Sequence, residues 1–266
     1  MMYISTRGGD ERVSSAQAIA QGIAKNGGLF VPEELPEISE AEITELIGMS
    51  YPERAAYVLS KFLTDYTEQE LLGYAERAYS AERFPGEGGA APVHTLSDKI
   101  SVLELFHGPT CAFKDMALQI MPHLLSGALE KTGVKGDAFI LTATSGDTGK
   151  AALDGYHDVP RVRIMVFYPV YGVSRVQKLQ MSTQEGENVM VCPVKGNFDD
   201  TQTGVKRIFI DPEANKYLAE RGYFFSSANS INWGRLAPQI VYYVSAYCDM
   251  IASGRLKLGE QLDVSV

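Results

Sequence analysis

Lys114 stands where a side chain can do chemistry rather than confer solubility. Before it, Ile100 to Phe106 is an apolar run that reads as a strand and breaks at Gly108-Pro109. After it, Cys111 to Lys131 has helical periodicity, with Phe113, Ala117, Ile120, Met121, Leu124 and Ala128 on one side. With Thr110 as N-cap, Lys114 falls in or beside the first helical turn. A cation there opposes the helix dipole, which favours negative charge at that end. A lysine that can lose its proton forms an imine with a carbonyl carbon. The plainer alternative is a lysine paired with Asp115, or one whose stem runs over apolar surface to water.

Two further stretches carry polar groups that suit a ligand. Thr144 to Gly149 reads as a strand-to-helix turn in which Gly146 and Gly149 let backbone approach closely and the hydroxyls of Ser145 and Thr148 can donate. Free N–H groups at the start of the following helix suit a carboxylate or phosphate. The same loop can equally be only a tight turn. Ser226 to Leu236 is polar and short-sided and precedes a long apolar helix, which Asn229 or Ser230 can cap. A functional reading makes Asn232 and Arg235 donors to a phosphate, where a guanidinium can bond two oxygens at once; spacing alone does not decide for it. Arg175, Gln177 and Lys178 can meet a phosphate or face water, and are read as packing and positioning residues. Asp199 and Asp200 would repel phosphate and are read as a helix cap and first-turn charge. Cys111 has no histidine in an obvious partnering position, so it is not taken as a nucleophile.

The elements that must position these groups follow from pattern. Residues 1 to about 82 read as helices, opened by four capping-box patterns, Ser14 with Gln17, Ser39 with Glu42, Ser50 with Glu53 and Thr67 with Glu70. Phe84 to Pro92, dense in Gly and Pro, reads as a linker. Strands then alternate with helices: strands at Ala138–Ala143, Val162–Phe167, Val189–Val194 and Tyr223–Phe225, helices at Val173–Met181, Asp199–Ile210 and Ile231–Ile251. Pro122 should kink the Cys111–Lys131 helix. Such alternation predicts an α/β fold with a parallel sheet covered on both faces, and ligands at the carboxyl ends of its strands. Both the Lys114 turn and the Thr144–Gly149 loop are expected on that edge. The domain division predicted is a helical N-terminal region over 1–97 and an α/β region over 98–266.

Composition narrows the function classes. The chain has 266 residues, 45% of them apolar and 21% charged, as in an ordinary globular protein with a sizeable core. Its net charge of -9 argues against a nucleic-acid partner. No apolar run approaches the ~20 residues that cross a bilayer, and no secretory h-region opens the chain. Three cysteines without paired spacing do not suggest a disulfide framework. Four histidines without a metal-binding motif imply no metal site. The expectation is a cytoplasmic protein without a membrane partner.

The stretch from His107 to Asp115 closely resembles the lysine segment of threonine synthases, which are pyridoxal-phosphate enzymes of the tryptophan-synthase-β fold type. Thr142 to Gly149, Tyr168 to Met181 and Ser226 to Leu236 resemble the same family, in the same order, as do Tyr3 to Gly9 and Ala18 to Pro32. The resemblance implies the parallel-sheet fold type II with a helical N-terminal region. It implies conversion of O-phospho-L-homoserine and water to L-threonine and phosphate, the last step of threonine biosynthesis, with Lys114 holding the cofactor and moving protons. Asp147 would contact the cofactor; Ser145 and Thr148 would hold the substrate, and Asn232 and Arg235 its phosphate. In the wider fold type an Asn usually stands where this chain has Asp147, and the acid matches the threonine synthase branch better. The alternatives are a truncated, catalytically incompetent fragment of such an enzyme, or another fold-type-II reaction such as a threonine or serine dehydratase. Leu262–Val266 reads as a strand; in threonine synthases such a strand runs into a Gly-rich turn that holds the cofactor phosphate. That turn and the family's chain beyond it are absent, so the expectation is a chain truncated at its C-terminus and lacking the C-terminal part of the fold.

Overall fold

A computed structural model describes residues 1–228 and 231–266. Three short strands, β1 (Tyr3–Ser5), β2 (Arg12–Val13) and β3 (Phe30–Pro32), form an antiparallel sheet in the order β2-β1-β3, with α1 (Ser15–Gln21) between the last two in sequence. This corrects the all-helical expectation for the first eighty residues. Strands of two or three residues are too short to show alternation. Then come α2 (Glu40–Ile47), α3 (Tyr51–Phe62) and α4 (Glu68–Ala78). All four capping residues lie where the sequence predicts. Ser14, Ser39 and Thr67 each exchange bonds with the residue three positions on, and the Glu53 carboxylate accepts from the Ser50 N–H at 2.7 Å and its hydroxyl at 2.6 Å.

Beyond the Gly/Pro-rich stretch, β4 (Val93–Thr95) and β5 (Ser101–Leu103) form an antiparallel hairpin. Here the structure departs from expectation, because β5 does not belong to the parallel sheet. Its partner edge is taken by β4, the segment that the linker delivers alongside it. The predicted helix after Lys114 is two helices, α5 (Asp115–Leu118) and α6 (Met121–Lys131). Pro122 does not kink a helix but sits in the first turn of α6, where its missing N–H costs nothing.

The rest alternates: β6 (Asp137–Ala143), α7 (Asp147–Tyr156), β7 (Val162–Pro169), α8 (Arg175–Ser182), β8 (Val189–Val194), α9 (Phe198–Ile210), α10 (Pro212–Ala219), β9 (Tyr223–Ser226) and α11 (Trp233–Ala252). The four strands pair in parallel in the order β8-β7-β6-β9. Helix α10 is absent from the sequence reading because it buries no residue and so shows no apolar face; Asp211 caps it through the N–H groups of Glu213 and Ala214. The strand expected at Leu262–Val266 does not form. Among the described residues no helix is long and apolar enough to cross a membrane.

One apolar cluster runs from Tyr3 through α1, α3, α6, α7 and the sheet to Tyr242. The Tyr3 hydroxyl donates to the Phe62 carbonyl at 2.8 Å, and its ring lies 5.5 Å from that of Trp233. Helices α5 and α7 approach so closely that a Cβ on Gly155 would run into the Leu118 carbonyl. Gly155→Ala is therefore expected to cost about 3 kcal/mol or more, because a backbone oxygen cannot rotate away. An unchanged urea midpoint would refute that close approach.

His123 of α6 is stacked on Tyr74 of α4, with ring centroids 6.1 Å apart. Burial, and then Arg77 and Arg83, push its imidazole down to about 4. Below the ordinary value of 6.5 the unfolded chain takes up a proton that the folded chain refuses. Stability is thus full above 6.5 and falls as pH drops towards 4. Between pH 7 and 4.5, His123→Gln should lose about 2 kcal/mol less than the parent chain in urea unfolding.

Candidate active site

At the carboxyl end of β6 the chain turns through Thr144, Ser145 and Gly146 into α7. Thr144 is buried, and its Oγ1 accepts from the N–H groups of Gly146 at 3.0 Å and Gly149 at 2.9 Å, which curls the turn about one hydroxyl. Gly146 has φ 140°, a conformation that a side chain resists. Ser145 is exposed and Thr148 half-buried, so both lie within reach of a ligand. Asp147 opens α7 and is held from α8 by Gln177, whose Nε2 donates to Oδ1 at 2.9 Å.

The opposite wall is the turn between β5 and α5. Its frame is Asp115, which is fully buried. Asp115 accepts the Thr110 N–H at 2.9 Å and the Thr110 hydroxyl at 2.6 Å. Burial raises the Asp115 carboxyl above its ordinary value, although the Thr110 bonds pull the other way. Thr110 is therefore not the N-cap of a long helix but the partner of Asp115. Because Thr110 occupies that carboxylate, Lys114 turns elsewhere. Its Nζ lies 4.5 Å over the Phe113 ring and 3.8 Å from Asp147 Oδ2, with the side chain 21% exposed.

Lys150, one turn into α7, completes the group. It is buried, donates from Nζ to the Thr110 carbonyl at 2.8 Å, and stands 3.5 Å from Asp147 Oδ1. Burial raises the Asp147 carboxyl, but Gln177, Lys150 and Lys114 outweigh it and hold the group below its ordinary value. The structure thus places Lys114 against Asp147, which lies between Ser145 and Thr148 in the turn that opens α7. Lys150 escaped the sequence reading, though its spacing of three from Asp147 puts both on one helix face.

Asn232 and Arg235 are not presented to a ligand in this way. Asn232 is fully buried and is the cap of α11: its Oδ1 accepts from the Gly234 N–H and its Nδ2 donates to the Ile19 carbonyl, each at 2.9 Å. The alternative caps, Asn229 and Ser230, lie outside the described residues. Arg235 is 6% exposed and donates to the Ala228 carbonyl at 2.7 Å; burial pushes its guanidinium below its ordinary value. The Asn232 amide is engaged at both ends within the protein, and Arg235 has one guanidinium nitrogen on the Ala228 carbonyl. Arg175 and Lys178 are exposed on α8. Asn197 and Asp200 cap α9 by exchanging bonds at 2.9 Å, in keeping with a helix start at that stretch.

Residues 2–79 match the family model for the threonine synthase N terminus. The chain is 40% identical over 259 residues to the threonine synthase of Escherichia coli, covering 97% of this chain and 55% of that one. It is 41% identical over 273 residues to the human threonine synthase-like 1, covering 97% and 36%. Its fold superposes on the pyridoxal-phosphate-bound threonine synthase of Brucella melitensis with a TM-score of 0.86 at 36% identity, over 96% of this chain and 53% of that one. For the yeast enzyme the TM-score is 0.83 at 34% identity, over 93% and 50%. Sheet, flanking helices and lysine turn together define an α/β chain with the fold of those enzymes. It is similar to threonine synthases over nearly its whole length, and it spans about half the length of those it matches.

Proposed function

We propose that the chain supplies the lysine-bearing half of a pyridoxal-phosphate site that converts O-phospho-L-homoserine and water to L-threonine and phosphate. The observation that carries this reading is Lys114, part-sheltered against Phe113 and facing the ionised Asp147 across two loops at 3.8 Å. The donor set fits the cofactor: an amine for its aldehyde, and a polar glycine turn opposite that amine. When bound, pyridoxal phosphate supplies a conjugated ring that draws electrons from the substrate's carbons. The protein's own part is acid–base chemistry and orientation. Lys114 holds the cofactor and, once released, takes and returns protons at its Nζ. Ser145, Thr148 and the N–H groups opening α7 bind the substrate carboxylate. Asp147, fixed by Gln177, orients the ring side of the site. The three free cysteines fit a cytoplasmic location.

The test is borohydride reduction of the chain mixed with pyridoxal phosphate, followed by peptide mapping. The expected result is one reduced adduct, on Lys114. No adduct, or adducts spread over surface lysines, would sink the reading for this chain. Phosphate release from O-phosphohomoserine then tests the reaction.

A further inference from the structure

We infer that Lys150 is a positioning residue for Lys114 and acts through Asp147, an inference that rests on Lys114 being the reactive amine. Lysine is seldom buried without a charge partner. The nearest acid to Lys150 is Asp147, and that acid is shared: it stands 3.5 Å from Lys150 and 3.8 Å from Lys114. Two ammonium groups and one carboxylate leave one positive charge uncompensated. Lys150 is closer to the acid, more deeply buried, and has a second acceptor in the Thr110 carbonyl at 2.8 Å. It therefore takes the larger share of Asp147, and Lys114 is left as the amine free to react.

The surrounding charges do not alter this division. Asp115, on the Lys114 turn, spends its carboxylate on Thr110. Asp154, further along α7, is bonded to Arg83 at 3.2 Å and Gln119 at 2.6 Å. From α8 the facing group is Gln177, which is neutral, while Arg175 and Lys178 are exposed. The Thr110 bond has a second consequence. It ties α7 to the turn that carries Lys114, so that a single side chain sets both the charge and the spacing of the two loops.

The test reads the reactivity of Lys114 without cofactor. Each chain is treated with limiting acetic anhydride, and acylation of Lys114 is compared with that of the exposed Lys25 by peptide mapping. Lys150→Met hands Asp147 wholly to Lys114, so acylation of Lys114 should slow about tenfold. Lys150→Arg should stay within about twofold of the parent, since it keeps the charge. In an Asp147→Asn background, Lys150→Met should have no further effect, because the group through which Lys150 acts is gone. An unchanged Lys114 in Lys150→Met overturns the inference, as does equal slowing in the Asp147→Asn background. Should Lys150→Met not fold, Lys150→Gln takes its place with the same predicted slowing, as it can keep the Thr110 bond without the charge. A wrong assignment of the cofactor lysine shows instead in the borohydride experiment, which is independent of this labelling.

Discussion

A chain carrying Lys114→Arg is expected to keep its fold and lose the reduced pyridoxyl adduct entirely. The guanidinium retains a positive charge opposite Asp147 and a stem over Phe113, so the 3.8 Å and 4.5 Å contacts have a replacement. It cannot lose a proton at any working pH, and so cannot condense with an aldehyde. Lys114→Ala removes the amine altogether and should give the same blank map. Where phosphate release from O-phosphohomoserine is measured, either change should lower the rate by about four orders of magnitude or more, as for other covalent residues. A residual adduct at a neighbouring lysine, above all Lys150, would mean that the site holds the cofactor by a different amine.

Arg54→Met should be the most destabilising of the single charge removals. Arg54 is 6% exposed and ties three helices together. It donates to the Leu46 carbonyl at 2.8 Å and the Ile47 carbonyl at 3.0 Å at the end of α2. On α11 it reaches Ser245 Oγ at 2.9 Å and Asp249 Oδ1 at 2.6 Å. Methionine keeps much of the volume but removes the donor that the Leu46 and Ile47 carbonyls, Ser245 and Asp249 share. The expected loss is about 3 kcal/mol, and a fall in Tm of roughly 6–12 °C. Arg12→Met, by contrast, breaks an exposed pair with Glu33 and should not measurably change stability. If the Arg54→Met chain melts with the parent, the three-helix junction is not held as the geometry indicates.

Legibility in the sequence followed the range of the interaction. The capping boxes at Ser14, Ser39, Ser50 and Thr67 were readable because both partners lie within four residues. The inner strands β6 and β7 were readable because they are largely buried and leave near-continuous apolar runs, and the edge strands β8 and β9 carry runs of the same kind with less burial. The hairpin of β4 and β5 was not, since β4 is three residues just past the Gly/Pro-rich stretch, too short to show alternation. The roles of Asn232 and Arg235 were not readable either. A donor beside a helix start looks the same in sequence whether it meets a ligand or the Ile19 carbonyl, 213 residues away.

By itself, the sequence determined that helices begin at their caps, that an α/β region follows Gly/Pro-rich residues, and that Lys114 and the Thr144–Gly149 turn carry residue types suited to chemistry. Those are properties of local spacing and residue type. Only the tertiary structure decided which carboxylate each lysine faces. Asp115, adjacent to Lys114 in sequence, is withdrawn by Thr110; Asp147, 33 positions on, is the acid that Lys114 and Lys150 share. The reason is physical: which polar groups are desolvated, and so must find partners, depends on packing between elements far apart in the chain.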